Sequence, residues 1–297
     1  MIALPLPVSR LLGVVAGEAR AAGGRAWLVG GAVRDALLGR EPLDLDVAVE
    51  AAPGAVAAVA GALGNRGWTR SAEHDRFGTA TIRAPEGVRV DLASTRSETY
   101  PEPGSLPVVS PGVAIEADLG RRDFAIHAMA VPLGPDGPAA PLLDPWGGEA
   151  DLRDRTIRLL HGRSLADDPT RVFRAARYAA RLGFELDAGF PSALGVAAGS
   201  GAFARISGDR LRRSFAEVLA EENRVDALTI LARLGVPALV VEGWAIGEGT
   251  LALLRDPGSS EASWGRLLAD QPGEVRAKIA DRLSFSRGLR RSAGCPR

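Results

Sequence analysis

The chain has 297 residues, enough for two or three small domains, and its 46% hydrophobic and 24% charged content is that of an ordinary globular protein. Its 36 basic and 36 acidic residues cancel, which excludes a global electrostatic field and leaves any nucleic-acid surface to a local basic patch. A single cysteine, Cys295, excludes an intrachain disulfide and a cysteine zinc site, and the 3 histidines (His74, His127, His161) stand too far apart for metal-ligand spacing.

Met1 to Gly23 has no basic run ahead of its apolar part, and Arg10 and Glu18 interrupt it. The stretch reads as an amphipathic helix from Val8 to about Ala22, not a signal peptide or membrane span. No membrane association and a cytoplasmic location are therefore expected. Trp27 to Val29, Leu43 to Val49, Gly78 to Arg83 and Val88 to Ser94 are short strand candidates bounded by Gly or Pro. Ala51 to Gly61 is an alanine-rich helix, and Ala84-Pro85-Glu86-Gly87 is a turn that joins two strands into a hairpin. Thr99 to Pro111 reads as a Pro-rich loop; a helical pattern follows Arg121, with one more strand near Met129 to Pro132.

From Asp168-Pro169 onward the chain reads as helix after helix, opened by an acidic cap with proline in the first turn. That helix carries Val172, Phe173, Ala176, Ala179 and Ala180 on one face and ends at Gly183; Ser207 caps another with Leu211, Phe215, Val218 and Leu219. Mixed strands and helices followed by helices alone predict an α+β head, a mixed sheet with helices, ahead of an all-α neck and body. Arginine supplies nearly all the basic residues, with Lys278 the only lysine. Its planar fork suits phosphate, but GC-rich coding explains the bias equally well.

Residues 28 to 46 carry the most chemistry: a strand, Gly30-Gly31, a helix with Arg34 and Asp35, and a second strand with Asp44 and Asp46. Spacing of i and i+2 puts both carboxylates on one face of a strand. Two such groups repel, and a hard divalent cation relieves the repulsion while binding substrate phosphates. A Gly-Gly turn at a helix start offers backbone N–H groups to those phosphates. A lone Asp-x-Asp is more often a solvated pair and a lone Gly-Gly merely a turn. Their order and tight spacing point to nucleotidyl transfer. Asp91, in Val-Arg-Val-Asp-Leu, is either a third acidic group of that site or an ordinary strand aspartate paired with Arg89 or Arg96.

This stretch resembles the class II tRNA nucleotidyltransferase and bacterial poly(A) polymerase family. That family's first motif, Gly-Gly-x-Val-Arg-Asp followed by Asp-x-Asp, is matched at Gly30, Gly31, Val33, Arg34, Asp35, Asp44 and Asp46. The resemblance implies Asp44 and Asp46 as Mg²⁺ ligands, Gly30, Gly31 and Arg34 as the triphosphate grip, and Asp35 as a local tie. Arg121-Arg122-Asp123-Phe124-Ala125-Ile126-His127-Ala128 is similar to the second motif, Arg-Arg-Asp-Phe-Thr-Ile-Asn-Ala. Arg122 and Asp123 would then hold the triphosphate and the ribose 2′-OH, with Arg121 in support. A carboxylate accepting that hydroxyl selects ribonucleotides. Ala125 for Thr and His127 for Asn depart from the family pattern.

Asp144-Pro-Trp-Gly-Gly-Glu-Ala-Asp-Leu matches a third motif at Asp144, Gly147 or Gly148, Asp151 and Leu152, which implies a structural hinge. Asp167-Asp168-Pro169-Thr170-Arg171 stands where the family carries Glu-Asp-x-x-Arg, which implies that Asp168 and Arg171 read the base. Such a pair accepts from an exocyclic amino group and donates to a ring acceptor, so it admits A and C while rejecting G and U. Without the resemblance, the pair is an N-cap and a solvated arginine. Arg174, Arg177 and Arg181 follow along one flank of the helix, and the resemblance implies Arg174 as a further nucleotide-binding residue. Arg205-Ile-Ser-Gly-Asp-Arg210 is similar to the fifth motif, with Ser207 starting a bracing helix and Arg210 near RNA.

The resemblance covers roughly residues 25 to 235 and implies a catalytic head at 1–150, a neck at 151–235 and a shortened body at 236–297. It implies Mg²⁺-dependent addition of CMP and AMP from CTP and ATP to a tRNA 3′ end, with oligomeric state left open. The A-adding or CC-adding half of a split pair, a poly(A) polymerase, and an RNA-binding relative without turnover are the alternatives. Full length in Arg96 to Ile115 leans towards adding the terminal A. The few C-terminal arginines (Arg287, Arg290, Arg291, Arg297) favour tRNA over poly(A), and intact Asp44 and Asp46 argue for turnover.

Overall fold

A computed structural model describes residues 2, 4–42, 44–74, 78–256 and 260–296, and divides the chain into two compact units. Residues 1–99 and 107–154 form the first; residues 100–106 and 155–297 form the second.

In the first unit, helix α1 (Leu6–Ala21) starts behind Pro5 and presents Leu12, Val15 and Ala19 inward. Gly13 lies on this helix where a Cβ would sit 2.1 Å from the Pro135 carbonyl oxygen, so only glycine lets helix and backbone meet there. Strand β1 (Arg25–Val29) leads through Gly30 into α2 (Gly31–Leu37), then β2 (Leu45–Glu50). Helix α3 runs Ala55–Gly64, later than the alanine run predicts, because Pro53 and Gly54 hold off the first turn.

Strands β3 (Thr69–His74), β4 (Thr79–Arg83) and β5 (Arg89–Ser94) form a meander. The sequence does not announce β3, a polar edge strand without apolar alternation. Strand β6 (Arg96–Thr99) pairs antiparallel with β7 (Val108–Pro111), so the expected loop is partly a hairpin. After α4 (Ile115–Gly120), the helical run expected past Arg121 is a single 3₁₀ turn, Ala125–His127, ahead of β8 (Ala130–Gly134) and β9 (Gly137–Pro138). Residues 124–130 are wholly buried, and burial on every side erases the periodicity that marks a surface helix. The main sheet has the order β3-β4-β5-β2-β1-β8-β9. Only β2 and β5 pair in parallel, with Asp46 opposite Asp91. Helix α5 (Gly148–Arg153) closes the unit, capped by Asp144, which accepts from the Gly148 and Glu149 amides at 2.7 and 2.9 Å.

The second unit is helical apart from a two-residue parallel ladder, β10 (Thr156–Ile157) with β11 (Glu185–Leu186). It continues through α6 (Ser164–Asp167), α7 (Arg171–Leu182), α8 (Phe190–Gly199), α9 (Ala202–Arg205) and α10 (Gly208–Leu219). Then come α11 (Arg224–Arg233), α12 (Val236–Val240), α13 (Glu248–Leu253), α14 (Ser260–Leu267), α15 (Gly273–Arg282) and α16 (Arg287–Ser292). Ser207 Oγ accepts from the Arg210 amide at 3.3 Å and starts α10. An aromatic seam holds the unit: Phe215 packs on Phe173 at 4.8 Å, Trp244 at 4.7 Å and Trp264 at 6.2 Å, and Trp264 on Phe285 at 4.9 Å. Each such pair adds about 0.5–1.5 kcal/mol beyond burial. The seam ties residues on both sides of position 235 into one core.

Candidate functional site

Gly30 adopts φ 68°, which only glycine tolerates cheaply, and the turn it makes is crowded. A Cβ there would lie 2.8 Å from Arg122 Nη1 and 3.8 Å from Asp46 Oδ2. The first glycine motif, the strand aspartate and the second arginine motif therefore converge on one point of the first unit.

Asp46 accepts no hydrogen bond from any described residue. Burial pushes its carboxyl above the ordinary range; the Arg122 guanidinium opposes that, while Asp91 and Asp44 reinforce it. A half-buried carboxylate with no donor and two acidic neighbours suits a hard cation. Asp44 is its exposed companion, at 62%, with Arg89 at 3.9 Å. Asp91 accepts from Thr81 Oγ1 at 2.6 Å and pairs with Arg89 at 2.9 Å, the ion-paired arrangement among its two readings. Among the described residues, no group of three or more His, Cys, Asp or Glu side chains is arranged to hold a metal ion.

Arg122 is held by Asp118 Oδ2 at 2.9 Å, and its Nε is buried without a hydrogen-bond partner. Arg121 donates to Asp118 at 2.8 Å, to Glu98 at 3.2 Å and to the Arg96 carbonyl at 3.1 Å, which makes it a brace. Burial raises the Asp118 carboxyl, but the Arg122 and Arg121 guanidinium groups outweigh it and hold the group below the usual aspartate value. Asp118 was not singled out from the sequence. Its signal is the spacing: it lies three and four residues ahead of the two arginines.

Arg34 is 6% exposed, and its guanidinium meets both Asp35 oxygens at 2.8 Å and His127 Nε2 at 2.7 Å. Arg34 is thus a buried guanidinium held between Asp35 and His127. Asp123, also buried, accepts through Oδ1 from the Phe124 amide and from His127 Nδ1, both at 2.9 Å. Gly31 is the first residue of α2, and its missing Cβ faces Arg34 at 3.6 Å. Asp151 is buried on α5.

In the second unit, Asp168 Oδ1 accepts from the Thr170 amide at 3.0 Å, Thr170 Oγ1 at 2.6 Å and Arg210 Nη2 at 2.9 Å. Its Oδ2 accepts from no described residue. Arg171, 5% exposed, donates to the Ser164 hydroxyl and, at 3.4 Å, to the Ser164 carbonyl. Arg174 lies over the Tyr178 ring at 5.5 Å, and Arg181 over the same ring at 5.7 Å. Arg177 and Arg181 pair with Glu221, and Arg177 also with Glu217, so this flank is neutralised within the unit. Sequence reasoning missed Ser164 and the link from Arg210 to Asp168, which no local spacing signals.

Residues 26–158 match the poly(A) polymerase head domain. The chain is 39% identical over 242 residues to an A-adding tRNA nucleotidyltransferase of Geobacter sulfurreducens, covering 82% of this chain and 27% of that protein. It is 43% identical over 229 residues to a CC-adding tRNA nucleotidyltransferase of Deinococcus radiodurans, covering 75% of this chain and 54% of that protein. The chain thus spans between about a quarter and about half the length of these curated relatives. A CCA-adding enzyme solved with CTP superposes with a TM-score of 0.78 at 27% identity, over 96% of this chain and 69% of that one. A tRNA-processing enzyme in an apo form gives 0.79 at 26% identity, over 99% and 78%. The motifs, the head-domain match and these likenesses agree: the chain belongs to the class II tRNA nucleotidyltransferase and bacterial poly(A) polymerase family.

Proposed function

We propose that this chain transfers nucleotidyl groups from CTP and ATP to the 3′ end of tRNA, without a nucleic-acid template. The observation that carries the reading is the convergence at Gly30 of Asp46 and Arg122. Nucleotidyl transfer needs a carboxylate for a cation and a cationic donor for phosphate side by side. Asp44 and Asp46 would hold Mg²⁺, which supplies activation of the attacking hydroxyl and neutralises charge on the leaving pyrophosphate. Arg122, held by Asp118 with its Nη1 at the Gly30 turn, grips the triphosphate. Asp123 accepts the ribose 2′-OH. In the second unit, Asp168 offers Oδ2 to the exocyclic amino group that A and C share, and Arg171 donates to the ring acceptor. Residues 1–150 serve as the catalytic head, 151–235 as the neck and 236–297 as the body, and a tRNA substrate places the work in the cytoplasm.

Relatives named for A addition and for CC addition both match this chain, which supports a second reading in which it performs one half of the synthesis. The test is incubation with Mg²⁺ and tRNAs ending before CCA, after C and after CC, with CTP and ATP separately and together. Completion of all three establishes CCA addition; extension only of the tRNA ending after CC, or extension of the other two only as far as CC, establishes a half-enzyme. A long adenosine tail on generic RNA, with no tRNA extended, overturns both in favour of poly(A) synthesis.

A further inference from the structure

His127 touches three of the residues assigned to the nucleotide. Its Nδ1 lies 2.9 Å from Asp123 Oδ1, its Nε2 lies 2.7 Å from Arg34 Nη1, and its carbonyl oxygen receives Arg122 Nη1 at 3.5 Å. The ring is 5% exposed and packs edge-on against Phe124 at 5.8 Å.

The partners dictate the tautomer. A guanidinium can only donate, so Nε2 must accept; a carboxylate can only accept, so Nδ1 must carry the proton. The result is a relay in which Arg34 donates both to Asp35 and to His127 Nε2, and His127 Nδ1 donates on to Asp123, with no donor or acceptor in conflict. An asparagine at this position has one NH₂ group and one carbonyl on a shorter stem. It can donate to Asp123 from near the Nδ1 position but does not reach Arg34 from there.

We propose that His127 is a positioning residue for ribose selection: as the Nδ1–H tautomer it fixes the Asp123 carboxylate against the buried Arg34–Asp35 pair. The inference rests on the reading of Asp123 as the acceptor of the ribose 2′-OH. With the relay intact, Oδ1 is held by the ring and the Phe124 amide, so the carboxylate cannot rotate when nucleotide binds. Without it, Asp123 and Arg34 are released towards each other, and the acceptor is lost from its place.

Two measurements test this. In protein labelled with ¹⁵N-histidine, His127 is assigned by its loss in His127→Gln, and its ring shifts should report a neutral Nδ1–H imidazole. An Nε2–H ring or an imidazolium overturns the relay. Separately, ATP and dATP affinities are compared with no RNA present, so that no turnover occurs. His127→Phe should cut the ATP-over-dATP preference by at least about tenfold, since a hydrogen bond to a charged group is lost. His127→Asn, which guards against a folding failure of the Phe variant, should retain part of the preference. Asp123→Ala sets the baseline. If it loses the preference while both His127 variants keep it, His127 does not position the carboxylate. If Asp123→Ala itself keeps the preference, the ribose-reading assignment fails and this proposal falls with it.

Discussion

Arg210 Nη2 donates to Asp168 Oδ1 at 2.9 Å across 42 residues of sequence, while Oδ2 of the same carboxylate accepts from no described residue. One oxygen is thus anchored by three donors while its twin keeps its acceptor capacity. An acceptor held in one orientation discriminates better than a rotating one, because the wrong base leaves it unsatisfied. Arg210, expected from sequence to lie near RNA on a bracing helix, also holds the carboxylate proposed to read the base.

Replacing that anchor should therefore change choice more than turnover. In Arg210→Met, the preference for CTP and ATP over UTP and GTP is expected to fall by about tenfold, the loss of one charge-assisted hydrogen bond. Ratios of kcat/KM for the four nucleotides check it. A uniform decrease for all four would assign Arg210 a structural role only.

Arg171→Ala should relax the same preference, and Ser164→Ala should do so more weakly, because Ser164 holds Arg171 through its hydroxyl and its carbonyl and only the hydroxyl is removed. Triphosphate affinity, measured with a tripolyphosphate competitor, should remain within about twofold in Ser164→Ala, far below the effect of removing a charged hydrogen bond. Unchanged discrimination against UTP and GTP in Arg171→Ala would sink its base-reading role.

Asp46→Ala and Asp44→Ala should each lower incorporation by about a thousandfold or more, roughly 4 kcal/mol of transition-state stabilisation. Chelation of divalent ions should do the same to the wild type and be reversed by Mg²⁺. Thermal unfolding checks that the fold survives. Asp46→Ala should leave the Tm unchanged or raise it, since it removes a desolvated carboxylate that accepts no hydrogen bond.

Asp118→Asn tests the brace beneath Arg121 and Arg122. Its side chain is 1% exposed and serves two arginines and the Arg96 amide, so neutralising it should cost roughly 3 kcal/mol at pH 7. The pH dependence has a definite sign. The folded carboxyl titrates below its unfolded value, so its contribution is complete above about pH 4 and is lost as pH falls further through the folded value. The Tm difference between wild type and Asp118→Asn should therefore be constant from pH 7 to about 5 and shrink below about 4. A difference that grows on acidification would contradict the assignment.

Local chemistry was legible in the sequence wherever a short segment carries its own constraint. Gly30-Gly31 and Asp44-x-Asp46 announce a turn and a shared strand face, Ser207 announces a helix start, and Pro85 to Gly87 a hairpin, because turn, cap and pleat depend on neighbours in the chain. Tertiary structure decided what depends on residues distant in sequence. It joined Arg34 to His127, 93 positions away, and gave Arg122 its place beside Asp46. It paired Asp91 with Thr81 and Arg89, and it joined Arg210 to Asp168. An arginine next to a motif reads the same whether its guanidinium meets solvent, substrate or another side chain. Only burial and partner geometry separate those cases, since both are set by packing between segments that the sequence lists far apart.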